Sequence, residues 1–124
     1  MRASGMGRGD DRGQATVEFA LILPLLMLCI VGIVWVGQVM TSQVRVEHAA
    51  REGARAAAVE PERASARAAV AVGRSMPEAA MSTRLGAEYV TVVVSVEVSG
   101  VPFIGVGARR LEAEAHMRRE DLLD

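Results

Sequence analysis

The sequence contains little cysteine, few aromatic residues and no excess of positive charge. Cys29 is the single cysteine among 124 residues, so neither an intramolecular disulfide nor a cysteine-based zinc site can form. It follows Leu28 in an apolar stretch, whereas lipidation sites require a small residue before the cysteine. We therefore interpret Cys29 as a packed apolar side chain. With a net charge of -1 and a sequence pI near 6.1, the chain lacks the basic character of nucleic-acid-binding proteins.

Catalytic and metal-binding motifs are also absent. The chain has no G-x-S-x-G, H-E-x-x-H, G-x-x-x-x-G-K-[ST] or G-x-G-x-x-G pattern. Its two histidines, His48 and His116, are far apart and have no neighbouring cysteine, so we predict no metal site and no cofactor. An enzyme acting on a small-molecule substrate is therefore the least favoured class of function.

The apolar residues that are present are mostly aliphatic, and many lie in one block. Hydrophobic residues make up 51% of the chain and aromatic residues 3%. As a helix rising ~1.5 Å per residue, the uncharged stretch 19–37 just crosses a ~30 Å hydrocarbon layer. Pro24 would bend this helix, and Trp35 near its end is typical of an interfacial anchor. A cleaved secretory signal is disfavoured, because its apolar core is about 7–15 residues long and a small-x-small site follows it.

The pattern after the apolar block predicts a continued helix. Residues 41–59 contain no proline and many strong helix formers, so we expect the helix to run to about Val59. Ala49, Gly53 and Ala57 recur at every fourth position and form a smooth stripe that another backbone could approach closely. The alternative is an alanine-rich helix that is simply solvated.

The remaining sequence indicates an α+β fold. Pro61 marks a break, after which residues 61–72 are typical of a second helix that stops at Gly73. We interpret residues 74–88 as a loop. Valines alternate with other side chains from Tyr89 to Val98, and a similar alternation follows a Gly/Pro-rich turn at residues 99–108. We predict an antiparallel β-hairpin whose valine face packs on a helix.

The most specific motif is GQATVEFALILPLL, at residues 13–26. Gly13 is followed five residues later by Glu18, then by Phe19 and the apolar stretch. A carboxylate carried into hydrocarbon costs a few kcal/mol, so Glu18 needs an interfacial position or a cationic partner. The simpler interpretation is a first-turn carboxylate that the helix dipole stabilises by roughly 0.3–1 kcal/mol.

This motif resembles the processing site of type IV pilin-like proteins, and most closely that of TadE-like minor pseudopilins of Flp/Tad pilus systems. The resemblance continues through the helix into AREGARAAA at residues 50–58 and into the valine-rich strand. It implies that a prepilin peptidase, a membrane aspartic peptidase, cuts after Gly13 and leaves Gln14 as the new N-terminus. It also implies that Glu18 pairs with the α-amino group of a neighbouring subunit and that Phe19 is the motif aromatic.

The resemblance implies a bitopic protein in three parts: a cytoplasmic leader (1–13), a transmembrane helix with the processing motif (14–40) and an extracytoplasmic domain (41–124). Its expected partners are the membrane, the prepilin peptidase, other pilin-like subunits and Tad assembly proteins. The expected role is structural, within the fibre or at its base. Two alternatives stay open: a competence or general-secretion pseudopilin, and an unprocessed signal-anchored envelope protein with no filament role.

Overall fold

The computed structural model describes residues 10–122, with side chains described from 13 to 121, and confirms the α+β class. The chain forms two compact units, each with most of its contacts inside itself, and the boundary between them lies between Val34 and Trp35. The helices and strands occur in the following order: α1 Asp10–Val59, α2 Ala64–Ser75, β1 Ala80–Leu85, β2 Tyr89–Val98 and β3 Arg109–Arg118. Short 3-10 turns precede α2, join β2 to β3 and follow β3, at Pro61–Arg63, Pro102–Ile104 and Glu120–Leu122.

Helix α1 ends where the sequence predicts. Glu60 has φ -129° and ψ 79°, because the ring of the following Pro61 disfavours helical geometry at the preceding residue. At the other end, α1 begins at Asp10, so the last residues of the expected leader, up to Gly13, are helical. The first nine residues of that leader lie outside the described residues.

Helix α2 is displaced slightly from the prediction. It starts at Ala64, after the 3-10 turn, and continues through Gly73 to Ser75. The stop comes instead from Pro77, which forces Met76 into an extended conformation with φ -153° and ψ 72°. The Met76 N–H still bonds to the Val72 carbonyl, which closes the last turn.

The interpretation of residues 74–88 as a loop is wrong, because Ala80–Leu85 form strand β1. This strand pairs antiparallel with β2 along its whole length, from Ala80 opposite Ser95 to Leu85 opposite Val90. The segment has weak intrinsic β-propensity and lies between Pro77 and Gly86. Its strand conformation therefore depends on hydrogen bonds to β2, a long-range contribution that local patterns do not contain.

The predicted hairpin is present as two strands of a three-stranded antiparallel sheet, in the order β1-β2-β3. Tyr89 lies opposite Arg118 and Val98 lies opposite Arg109, so β2 and β3 pair over ten residues each. The turn between them contains the Pro102–Ile104 3-10 turn and ends on Gly105, whose φ of 74° favours glycine.

One face of the sheet packs on the helices, as predicted from the valine alternation. Val90, Val92 and Val94 are fully buried there, while Ser95 lies on the opposite face. The helix residues in this core are nearly all small, which allows close approach of α1 and α2 to the strands. They are Val46, Ala49, Ala50, Ala54 and Ala57 from α1, and Ala64, Ala68 and Val72 from α2.

Candidate processing and assembly site

The apolar part of α1 is exposed on every face. Within the described residues, α1 is the one helix long and apolar enough to cross a membrane. Its large side chains from Val17 to Val34, apart from the half-buried Val31, are exposed around the helix rather than along one stripe. A helix that is apolar all round and remains exposed requires an apolar environment from outside the chain. The geometry therefore fits a single-pass membrane anchor.

Gly13 and Gln14 lie within the first turns of α1. A Cβ atom built at Gly13 would meet no atom within 4 Å, so nothing in the described chain covers this position. The first N–H groups of a helix have no intrahelical acceptors, and glycine costs about 1 kcal/mol relative to alanine inside a helix. The Gly13–Gln14 bond is thus accessible, and it lies in a turn that can unwind at low cost.

Glu18 is the only charged residue between Gly13 and Gly37. Its carboxylate is exposed and accepts a hydrogen bond from the side-chain amide of Gln14, over 3.3 Å between Nε2 and Oε1. Phe19, the next residue, is 65% exposed. The structure therefore presents a carboxylate directly before the apolar stretch, accessible to a cation on another molecule.

The stripe formed by Ala49, Gly53 and Ala57 is buried inside the chain. A Cβ atom at Gly53 would lie 2.9 Å from Cγ2 of Val72 and 3.2 Å from Cγ1 of Val92. The close approach is therefore made by the chain's own α2 and β2. The alternative of a solvated alanine-rich helix is wrong for this face of α1.

Ion pairs of the described chain lie on the surface, away from residues 13–37. One of them joins Glu60 to Arg67, whose guanidinium donates to both carboxylate oxygens, with Nε to Oε2 at 3.0 Å. This hydrogen bond, with the nearby positive charge, lowers the pKa of Glu60. A similar hydrogen bond from Arg119 lowers the pKa of Asp121.

Neither histidine belongs to a metal-binding cluster. Between residues 10 and 122, no group of three or more His, Cys, Asp and Glu side chains is placed to hold a metal ion. His48 is exposed on α1, and His116 Nδ1 lies 2.9 Å from the Thr91 hydroxyl on the sheet.

One contact of the apolar helix was missed by sequence reasoning. The indole N–H of Trp35 donates to the backbone carbonyl of Ser99, at 3.0 Å, so the turn after β2 is fixed to α1. The signal available in the sequence was a second uncharged stretch, residues 99–108, which contains Phe103. Its glycines and proline predict a turn, and they do not predict that the turn contacts α1.

Residues 13–55 match the model of the family described as TadE-like protein, which confirms the resemblance over the processing motif, the apolar stretch and the start of the packed helix. No curated protein and no solved structure matches the chain.

Proposed function

We propose that the chain is a pilin-like subunit of a Tad-type pilus or secretion system, processed by a prepilin peptidase, because residues 13–55 match the model of the TadE-like family. The observation that carries this proposal is the match over a helix that is apolar on every face and is preceded by Gly13 and Glu18. The role is structural: the helix holds the subunit in the membrane and provides the surface for association with other subunits.

In this proposal the cytoplasmic peptidase site receives residues 1–13 and cuts the Gly13–Gln14 bond. A protease binds its substrate in an extended form, so the first turn of α1 must unwind before cleavage. Gly13 favours cleavage in two ways. It weakens the helix, and its lack of a side chain lets the backbone approach the catalytic carboxylates of the peptidase closely. Cleavage creates an α-amino group on Gln14, one helical turn from Glu18.

Glu18 would then pair with the α-amino group of a neighbouring subunit. Its exposed carboxylate lies at the boundary of the apolar stretch, where a positive partner offsets the cost of leaving water. Pairing between subunits is favoured over pairing along one helix by geometry. The first N–H groups of a helix point along its axis, whereas the Glu18 side chain is exposed on the side of the helix.

We further propose that residues 41–124 lie outside the cytoplasm. Arginines flank the apolar stretch on both sides, so this orientation follows from the processing motif rather than from charge. Arg74, which is exposed on α2, provides a test position. An Arg74→Cys side chain should react with a membrane-impermeant thiol reagent in intact, wall-permeabilised cells, and resistance until lysis would contradict the orientation.

Deletion of the chain tests its role in assembly. In cells that carry a Tad system, loss of the chain should abolish pili or secretion, and the wild-type chain should restore them. Normal piliation without the chain would instead support the signal-anchored alternative. A defect restricted to DNA uptake or to export of a protein by another machinery would favour the competence or general-secretion pseudopilin.

A further inference from the structure

The loop between β2 and β3 is an apolar projection on an otherwise charged sheet. Residues 99–108 contain no charged side chain, whereas Glu97 precedes them and two arginines follow. Phe103, at the tip, is 72% exposed, the highest exposure of any aromatic side chain in the described chain. The core of the domain therefore leaves the aromatic residue of this loop outside.

The exposure of Phe103 is built into the loop. The Val106 N–H and the Ile104 N–H both donate to the Val101 carbonyl, each at 3.2 Å. Val101 and Val106 thereby pair as a short antiparallel β-bridge across the loop. At Gly100 any Cβ atom would lie 2.1 Å from the Val106 carbonyl oxygen, so only glycine allows the two arms to meet. A loop fixed in this way holds its tip outward.

The loop is fixed to α1 at the end of the apolar stretch. The Trp35 indole donates to the Ser99 carbonyl at 3.0 Å, and the apolar stretch ends two residues later, at Gly37. Tryptophan is enriched where hydrocarbon meets the lipid headgroups. Ser99, the first residue of the loop, is held at the level of Trp35 by this hydrogen bond.

We propose that this loop is a second membrane contact, with Phe103 inserted in the interfacial layer of the bilayer that α1 crosses. The inference rests on the membrane span proposed above. A lipid surface is the favoured occupant because the loop continues from the Trp35 contact, where the span ends. Arg109 directly follows the loop and is exposed, which places a cation beside the lipid phosphates.

Spin labels on the full chain in vesicles of phosphatidylcholine and phosphatidylglycerol test this contact. One label is attached to Phe103→Cys and a control label to Leu85→Cys, both in a Cys29→Ala background. Leu85 is 52% exposed and precedes β2, so it lies at the opposite end of a strand about 30 Å long. A third label, on Cys29 of the chain without these substitutions, measures whether the apolar stretch of α1 lies in lipid. Because Gly107 has open space around it, Gly107→Cys is a second loop position that leaves Phe103 in place.

The expected result is that the label at position 103 loses most of its collisions with a water-soluble nickel chelate and keeps those with oxygen, which concentrates in lipid. The label at position 85 should show the reverse. Equal access of nickel to both positions, with the Cys29 label in lipid, would overturn the loop contact and leave the span intact. Loss of both kinds of collision at position 103 would mean a protein surface and also overturn it. A water-accessible Cys29 label would overturn both proposals.

Discussion

At the scale of single residues, the proposed function depends on Glu18. A first-turn carboxylate that serves only the helix dipole contributes at most about 1 kcal/mol, and its loss would leave assembly intact. A carboxylate paired with the α-amino group of another subunit in a desolvated site contributes more, since breaking one side leaves an uncompensated charge that costs roughly 3–5 kcal/mol. The two roles therefore differ measurably.

We expect Glu18→Gln to be inserted in the membrane and cleaved after Gly13, but to lose association with other pilin-like subunits. The cost of the unpaired charge corresponds to at least about a hundredfold weaker association. Crosslinking in membranes measures the loss. Glu47→Gln is the matched control, because the two contacts of Glu47 are both exposed: an ion pair with Arg51 at 3.5 Å and a hydrogen bond from the Gln43 side-chain amide at 3.5 Å. If the Glu18→Gln chain assembled normally at wild-type abundance, the pairing role would be contradicted and Glu18 would serve only the helix dipole.

Gly53 gives a second residue-scale prediction, on stability. Gly53→Ala places a methyl group 2.9 Å from Val72, and a β-branched side chain in a helix has little rotameric freedom to move away. The overpacking cost of about 1–3 kcal/mol should exceed the gain of about 1 kcal/mol in helix propensity. We expect a lower Tm for the full chain in detergent micelles.

Gly73→Ala is the control for that substitution. Gly73 lies within α2, and a Cβ atom there meets nothing within 4 Å. The same change should therefore raise Tm slightly through helix propensity alone. If both substitutions raised Tm by the same amount, the close packing of α1 on α2 and β2 would be contradicted.

At the scale of elements, the parts with a strong local signal were predictable. The end of α1 at Val59 follows from Pro61, and the period-two valines of β2 give both its bounds and its buried face. Strand β1 was missed because its pairing with β2 is a long-range interaction. The end of α2 was misplaced because Gly73 suggests a stop, whereas Pro77 determines it.

Strand β1 also carries an unpaired polar atom. The Thr83 hydroxyl is buried between β1 and the helices and has no hydrogen-bond partner within the described residues. Since a buried unsatisfied hydroxyl costs about 1–3 kcal/mol, we expect Thr83→Val to stabilise the chain by about 1 kcal/mol or more, measured by thermal unfolding.

Thr91→Val serves as the comparison, because the Thr91 hydroxyl lies 2.9 Å from His116 Nδ1. Its replacement removes a hydrogen bond and should give no stabilisation. A destabilised Thr83→Val chain would mean that the Thr83 hydroxyl is satisfied in solution.

The break between α1 and α2 predicts a pH dependence. The Arg67 hydrogen bond lowers the pKa of Glu60 below its ordinary value of 4.5, and the charge of Arg63 contributes least. The pair therefore stabilises the folded chain fully above about pH 4.5, and this contribution is lost as the pH falls through the lowered pKa.

Arg67→Gln should raise the pKa of Glu60 toward 4.5, as followed by NMR titration of its carboxyl carbon, whereas Arg63→Gln should raise it less. The difference arises because Arg67 donates hydrogen bonds and Arg63 acts through charge alone. Equal effects of the two substitutions would show that the hydrogen bond is not the main cause.

At the scale of the whole molecule, the candidate site was predictable in part. The order of Gly13, Glu18 and the apolar stretch is a local pattern, and the family match covers it. The burial of the Ala49, Gly53 and Ala57 stripe could not be assigned to a partner from sequence, because a smooth helix surface fits any close backbone. Only the fold shows that α2 and β2 occupy it.

The central claim is that the chain is a substrate and subunit of a pilin-like system, and its mature N-terminus tests this most directly. Mass spectrometry of the chain extracted from membranes should find Gln14 as the first residue, including the mass of its cyclised form, in cells with an active prepilin peptidase. In cells without the peptidase the same chain should keep residues 1–13. An intact leader in cells with active peptidase would contradict the claim.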